Sequence, residues 1–171
     1  NPWMQPLITY AGDQIDFMVV HEYYSYEPPP NTAEGNATIL AFPQTKLTAL
    51  DSWLRGMELA AGMSRRIPVL VSEYGLTPSG WEEREGKRIS QMMNALLTGD
   101  SVGQMAVNER YIGSNQFTMS YDQWFGNEFG MMGFKDENYS DAYRYPTYYA
   151  MALWKRFGPS IKNVTSSFDK A

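Results

Sequence analysis

The sequence predicts an α/β fold assembled from three successive strand-helix units on parallel strands. Ile67-Pro68-Val69-Leu70-Val71 is a continuous apolar run without period-2 alternation, the mark of a strand covered on both faces, as in a parallel sheet flanked by helices. A second such run, Ile15 to Val20, precedes it, and between them Leu47, Leu50, Leu54, Met57 and Ala61 recur at three- and four-residue steps. That spacing is one apolar helix face. Strand, helix, strand in this order is a βαβ unit, which crosses over right-handedly and leaves both strand ends on one rim of the sheet.

Taken in order, residues 1–11 read as the end of a helix or a loop, punctuated by Gly12-Asp13. The first strand, Ile15 to Val20, ends on His21-Glu22-Tyr23-Tyr24, and a loop stiffened by Pro28-Pro29-Pro30 is expected to run to about Pro43. The helix from Thr45 stops at Gly62. Ser64-Arg65-Arg66 reads as a short solvated turn before the second strand. A turn with Pro78 and Gly80 then leads to a helix that buries Ile89, Met92, Met93, Leu96 and Leu97 and breaks at Gly99-Asp100. A further helix, Val102 to about Ile112 and containing Glu109, precedes a third strand, Gln116 to Tyr121, which ends at Asp122-Gln123-Trp124-Phe125-Gly126. The aromatic stretch to Tyr145 reads as a second site loop. Pro146 opens a last helix, because its missing N–H costs nothing in a first turn; Tyr149, Ala152, Leu153 and Phe157 are expected to face inward.

Composition narrows the function. With 171 residues, 43% hydrophobic and 15% aromatic, the chain can bury an ordinary single-domain core. A net charge of −5 without a Lys/Arg cluster argues against nucleic acid or an anionic membrane as partner. No apolar run is long enough to span a bilayer. Cysteine is absent and His21 is the only histidine, so neither thiolate chemistry nor a His-based zinc site is expected, and no cofactor is called for. The sequons at Asn36, Asn138 and Asn163 fall in segments read as loop or tail. They permit secretion, and a secreted or periplasmic location is expected.

The chemistry concentrates where the strands end. In parallel α/β architectures the carboxyl ends of the strands hold the reacting groups, so Glu73 is a candidate catalytic carboxylate. The alternative is a strand-end Glu that caps a loop or pairs with an arginine. His21 is either a ligand contact or a satisfied rim histidine, and Trp124 either a ring platform or a core indole. Glu22 shares the rim and either lines the site or is solvated or paired.

These clusters together resemble the C-terminal portion of a clan A retaining glycoside hydrolase, a (β/α)8 barrel with its nucleophile at the end of the seventh strand. Ile-Asp-Phe-Met-Val-Val-His-Glu-Tyr, residues 15–23, is similar to the sixth strand with its His-x-Tyr. Val-Leu-Val-Ser-Glu-Tyr-Gly, residues 69–75, is similar to the seventh, and Phe117 through Trp124 to the eighth. Pro146 to Met151 with Arg156-Phe157-Gly158 resembles the last barrel helix of agarase-like and arabinofuranosidase-like members. The resemblance implies a partial (β/α)8 TIM barrel, about the last three strand-helix units, over residues 1–159. Residues 160–171 are then an extended tail or the start of an accessory domain. It further implies Glu73 as nucleophile, oriented by the Tyr23 hydroxyl. His21, Tyr23, Tyr74 and Trp124 would be substrate contacts, with a polysaccharide or oligosaccharide as substrate.

A retaining glycosidase needs a second carboxyl group, a general acid about 5–5.5 Å from the nucleophile. In this clan an Asn-Glu pair upstream of the nucleophile carries it. The two pairs here, Asn108-Glu109 and Asn127-Glu128, both follow Glu73, so neither takes the role. A complete barrel uses about 250 residues. The expectation is therefore an incomplete enzyme whose partner is the N-terminal barrel half or, failing that, another copy of itself. The competing reading is a non-catalytic carbohydrate-binding fragment that keeps an aromatic platform. A flavodoxin-like domain is disfavoured because no strand runs into a Gly-rich phosphate turn.

Overall fold

The computed structural model describes residues 2–27, 29–77, 92–119, 130–134 and 142–158. Three parallel strands, β1 (Met18–Tyr23), β2 (Val69–Gly75) and β3 (Tyr111–Gln116), form a sheet in the order β1-β2-β3. Helix α1 (Met4–Ala11) precedes β1, α2 (Ala33–Ala60) joins β1 to β2, α3 (Met92–Ala106) lies between β2 and β3, and α4 (Pro146–Trp154) follows. Two short antiparallel strands, β4 (Met132–Phe134) and β5 (Ala142–Arg144), form a separate ribbon before α4. Val69 and Val71 of β2 pack with Ile39, Leu47 and Leu54 of α2 and Leu97 and Met105 of α3 in one buried cluster. The alternation of strand and helix is the expected one. The ends of several elements are not.

Helix α2 starts twelve residues before the expected Thr45, at Ala33, and carries Pro43 inside it. Thr32 caps it by accepting the Gly35 N–H on its hydroxyl at 3.1 Å, and Glu34 in the first turn complements the helix dipole. Ile39, Pro43 and Leu47 are buried at four-residue steps, so the proline ring fills the same apolar stripe that was visible from Leu47 onward. Packing overrides the missing hydrogen bond. Asn36 consequently lies in a helical first turn and not in a loop, with its amide nitrogen donating to Asn31 at 3.2 Å. Gly62, with φ of 76°, ends the segment as expected.

Helix α3 runs through Gly99 and Gly103 without a break. Both glycines are where Trp154 of α4 comes close: a Cβ on Gly103 would stand 3.3 Å from the indole, whose N–H donates to the Gly99 carbonyl at 3.0 Å. These glycines are packing residues, not breakers. The segment after Ala106 is a turn held by Asn108, whose side chain accepts the Arg110 N–H at 3.0 Å. The helix expected to Ile112 is therefore absent, Glu109 sits in the turn, and the third strand begins earlier than predicted.

Helix α4 starts at Pro146 as expected but presents a different face to α3. Thr147 is buried against Asn94 at 3.2 Å, while Tyr149, Ala152, Leu153 and Phe157 are exposed. Met92 and Leu96 of α3 also point outward. Both helices carry apolar residues all round, so periodicity alone did not select the buried side.

At the amino ends of the strands lies a network that no motif announced. Arg110, fully buried, donates to both Glu58 carboxylate oxygens at 2.6 and 3.0 Å and to the Ile67 carbonyl at 3.1 Å, and it also meets Asp51. The Ile67 N–H donates to Glu58 at 2.8 Å. Burial raises the Glu58 carboxyl, but the Arg110 and Ile67 hydrogen bonds and the Arg110 charge outweigh it, and the group ends below its ordinary value. The expected solvated basic turn is also structural: Arg65 donates to the Ile15 carbonyl at 2.7 Å and Arg66 reaches Asp51 at 3.3 Å. Among the described residues no helix is long and apolar enough to cross a membrane. The expected tail, residues 160–171, lies outside the described residues, as do the sequons at Asn138 and Asn163.

Candidate active site

Strand alternation by itself would bury Glu73. Val69 and Val71 face the helices and are fully buried, and a period of two sends residue 73 to the same side. The pairing slips at this point. Val20 is opposite Val71 but His21 is opposite Glu73, so Ser72 is an extra residue on β2. The β2-β3 register also shifts between Val71 and Tyr74. A bulge of this kind re-aims the side chains beyond it. Glu73 emerges on the open face of the rim, and Tyr74 takes the buried place instead.

The βαβ geometry then brings the predicted cluster together. The Tyr23 hydroxyl donates to Glu73 Oε2 at 2.7 Å, and His21 Nδ1 lies 3.4 Å from the same oxygen. The His21 side chain is 54% exposed and that of Glu73 31%, so the group is reachable from solvent. Among the described residues one carboxylate oxygen, Oε2, is thus held and the other, Oε1, carries no hydrogen bond.

Sequence reasoning did not single out Phe117, just beyond β3. Its ring meets the Tyr23 ring edge-on, with centroids 6.4 Å apart and planes at 77°. The Phe117–Thr118 peptide is cis. The available signal was an aromatic residue directly at a strand end, obscured because the strand was expected to continue to Tyr121.

Two expected contributors are turned elsewhere. Tyr74 is 1% exposed, with its hydroxyl 3.8 Å from the Met151 sulfur; a ring so placed offers no face to a ligand, because the bulge that frees Glu73 buries its neighbour. Glu22 alternates away from His21 and Tyr23. Its electrostatic neighbours are Lys46 of α2 and the Tyr24 and Tyr111 rings, and burial pushes its carboxyl up to about 7 against the opposing Lys46 charge. It does not line the Glu73 face. Glu109 precedes β3 and so belongs to the opposite rim, while Trp124 and Asn127-Glu128 lie outside the described residues.

Parallel strands alternating with helices, with a carboxylate delivered to their carboxyl ends, are the organisation of one sector of a (β/α)8 barrel. Comparison with solved structures gives that class a particular relative. The fold matches AbfB, a family 51 α-L-arabinofuranosidase from Bifidobacterium longum, with a TM-score of 0.63 and 17% sequence identity over 89% of this chain and 32% of that one. The chain therefore has the fold of about a third of a TIM-barrel glycosidase. No family model matches its sequence, and no curated protein does.

Proposed function

We propose that the chain is the nucleophile-bearing sector of a retaining glycoside hydrolase that cleaves glycosidic bonds in a polysaccharide. The observation that carries this reading is the state of Glu73: one oxygen held by the Tyr23 hydroxyl at 2.7 Å and the other without a hydrogen bond among the described residues, on an accessible rim. A carboxylate that attacks an anomeric carbon needs this asymmetry, since orientation comes from the bound oxygen and the bond forms at the free one.

In the proposed mechanism Glu73 attacks the anomeric carbon as the glycosidic C–O bond breaks and the general acid protonates the leaving oxygen. Water, giving its proton to the same group, then displaces Glu73 from the glycosyl-enzyme ester with net retention. His21, on the exposed side of Glu73, contacts a sugar hydroxyl, and Trp124 supplies a ring face. The general acid comes from a complementary barrel segment. The fold likeness to a family 51 arabinofuranosidase supports the reading at the level of architecture. Glu73→Gln in the assembled barrel tests it: turnover is lost while oligosaccharide binding persists. Binding without turnover in both forms would instead identify a carbohydrate-binding fragment.

A further inference from the structure

Tyr23 orients Glu73, but Tyr23 is the last residue of a strand with a neighbour in the sheet on one side only, among the described residues. Contacts on the β2 side place its ring. It lies alongside Gly75, the residue opposite it in register, within 3.6 Å of where a Cβ would stand. With no side chain at that position, the ring reaches across β2 to the edge-on contact with Phe117.

Phe117 is itself held from two directions. Its N–H donates to the Tyr74 carbonyl at 3.3 Å, which anchors it to β2. Its carbonyl accepts the Gln116 side-chain amide at 3.0 Å, and the Gln116 oxygen accepts the Thr98 hydroxyl of α3 at 3.4 Å. Both ends of the Gln116 amide are used, so its orientation is fixed: oxygen toward the helix, nitrogen toward the strand end.

We propose that Phe117 and Gln116 are positioning residues for Glu73, acting through the Tyr23 ring. Gln116 sets the strand end from α3, Phe117 fixes the angle of the phenol, and the phenol fixes one carboxylate oxygen. The kinetic part rests on reading Glu73 as the nucleophile. The geometric part does not.

The test uses the full chain with 13C at the ring Cζ of its 12 tyrosines. The Tyr23 resonance is assigned by its loss in Tyr23→Phe, and Glu73→Gln supplies its position without a carboxylate partner. The expected result is that Phe117→Ala and Gln116→Glu each move the Tyr23 resonance toward that reference while the Tyr24 and Tyr111 resonances stay in place. Gln116→Glu replaces the donor with an acceptor facing the Phe117 carbonyl, and Phe117→Tyr, which keeps the ring, leaves Tyr23 unmoved. In the assembled barrel the two disruptive variants slow covalent labelling of Glu73 on the order of 10- to 100-fold. An unmoved Tyr23 resonance in Gln116→Glu overturns the proposal, as does a general movement of all tyrosine resonances in that variant. A shifted Tyr23 in a barrel that never labels at Glu73 would sink the hydrolase reading and leave the positioning chain standing.

Discussion

Glu73 and Tyr23 form a charge-assisted hydrogen bond at 2.7 Å on a partly exposed rim. Bonds of this type contribute about 1.5–3 kcal/mol, and each 1.36 kcal/mol is tenfold in rate where the bond matters in the transition state. Tyr23→Phe is therefore expected to lower kcat of the assembled enzyme by roughly 10- to 100-fold, with little change in KM because the phenol holds the nucleophile and not the sugar. Steady-state kinetics at saturating substrate checks it; a variant with the parent's kcat would remove Tyr23 from the mechanism. The meeting of His21, Tyr23 and Glu73 was legible in the sequence, because a right-handed βαβ crossover leaves no other rim for them. The burial of Tyr74 was not. It depends on a bulge, which is a property of two paired strands and leaves no trace in either strand read alone.

The same limit recurs among the elements. Apolar runs without alternation located β1 and β2, but only β2 is buried: β1 begins at Met18, not Ile15, and as an edge strand among the described residues leaves Val19 exposed. A four-residue stripe located α2 from Leu47 onward. Pro43 and Gly99 misled because each usually ends a helix, yet here one fills the buried stripe and the other receives Trp154. The partner that makes these residues tolerable is distant in sequence. Burial at the element level also sets a pH dependence. Glu22, raised from 4.5 to about 7, keeps its proton in the folded chain where the unfolded chain has lost it. Its contribution to stability is full below about pH 4.5 and is lost as pH rises toward about 7. Glu58 acts in the opposite sense: its depressed value gives stability above the ordinary 4.5 that is lost as pH falls through the lowered one. Glu22→Gln should accordingly remove most of the decline in urea midpoint between about pH 5 and about pH 8. An equal decline in variant and parent would place the titrating group elsewhere.

At the scale of the whole molecule the two flanks of the sector are apolar. Trp3 just before α1, Leu7 and Tyr10 of α1, and Phe17 and Val19 at the start of β1 line a groove of about 740 Å³. Tyr149 and Leu153 of α4, with Phe157 just beyond it, expose a second apolar patch. An uncovered edge of a parallel sheet is a template for pairing, and the chain spans 32% of the glycosidase it matches. Expressed alone, it should sediment above its 19.5 kDa monomer mass. Val19→Lys should shift it toward the monomer, since a charge on an edge strand opposes pairing; a parent chain that sediments as a monomer would show that its flanks need no cover. A complementary segment covering them would also supply the proposed general acid. The most direct measurement on the central claim is covalent trapping of the assembled barrel with activated 2-deoxy-2-fluoro glycosides, followed by peptide mass analysis. The account predicts one sugar per chain on Glu73, in the peptide containing Val-Leu-Val-Ser-Glu-Tyr-Gly, and a label on any other residue would contradict it.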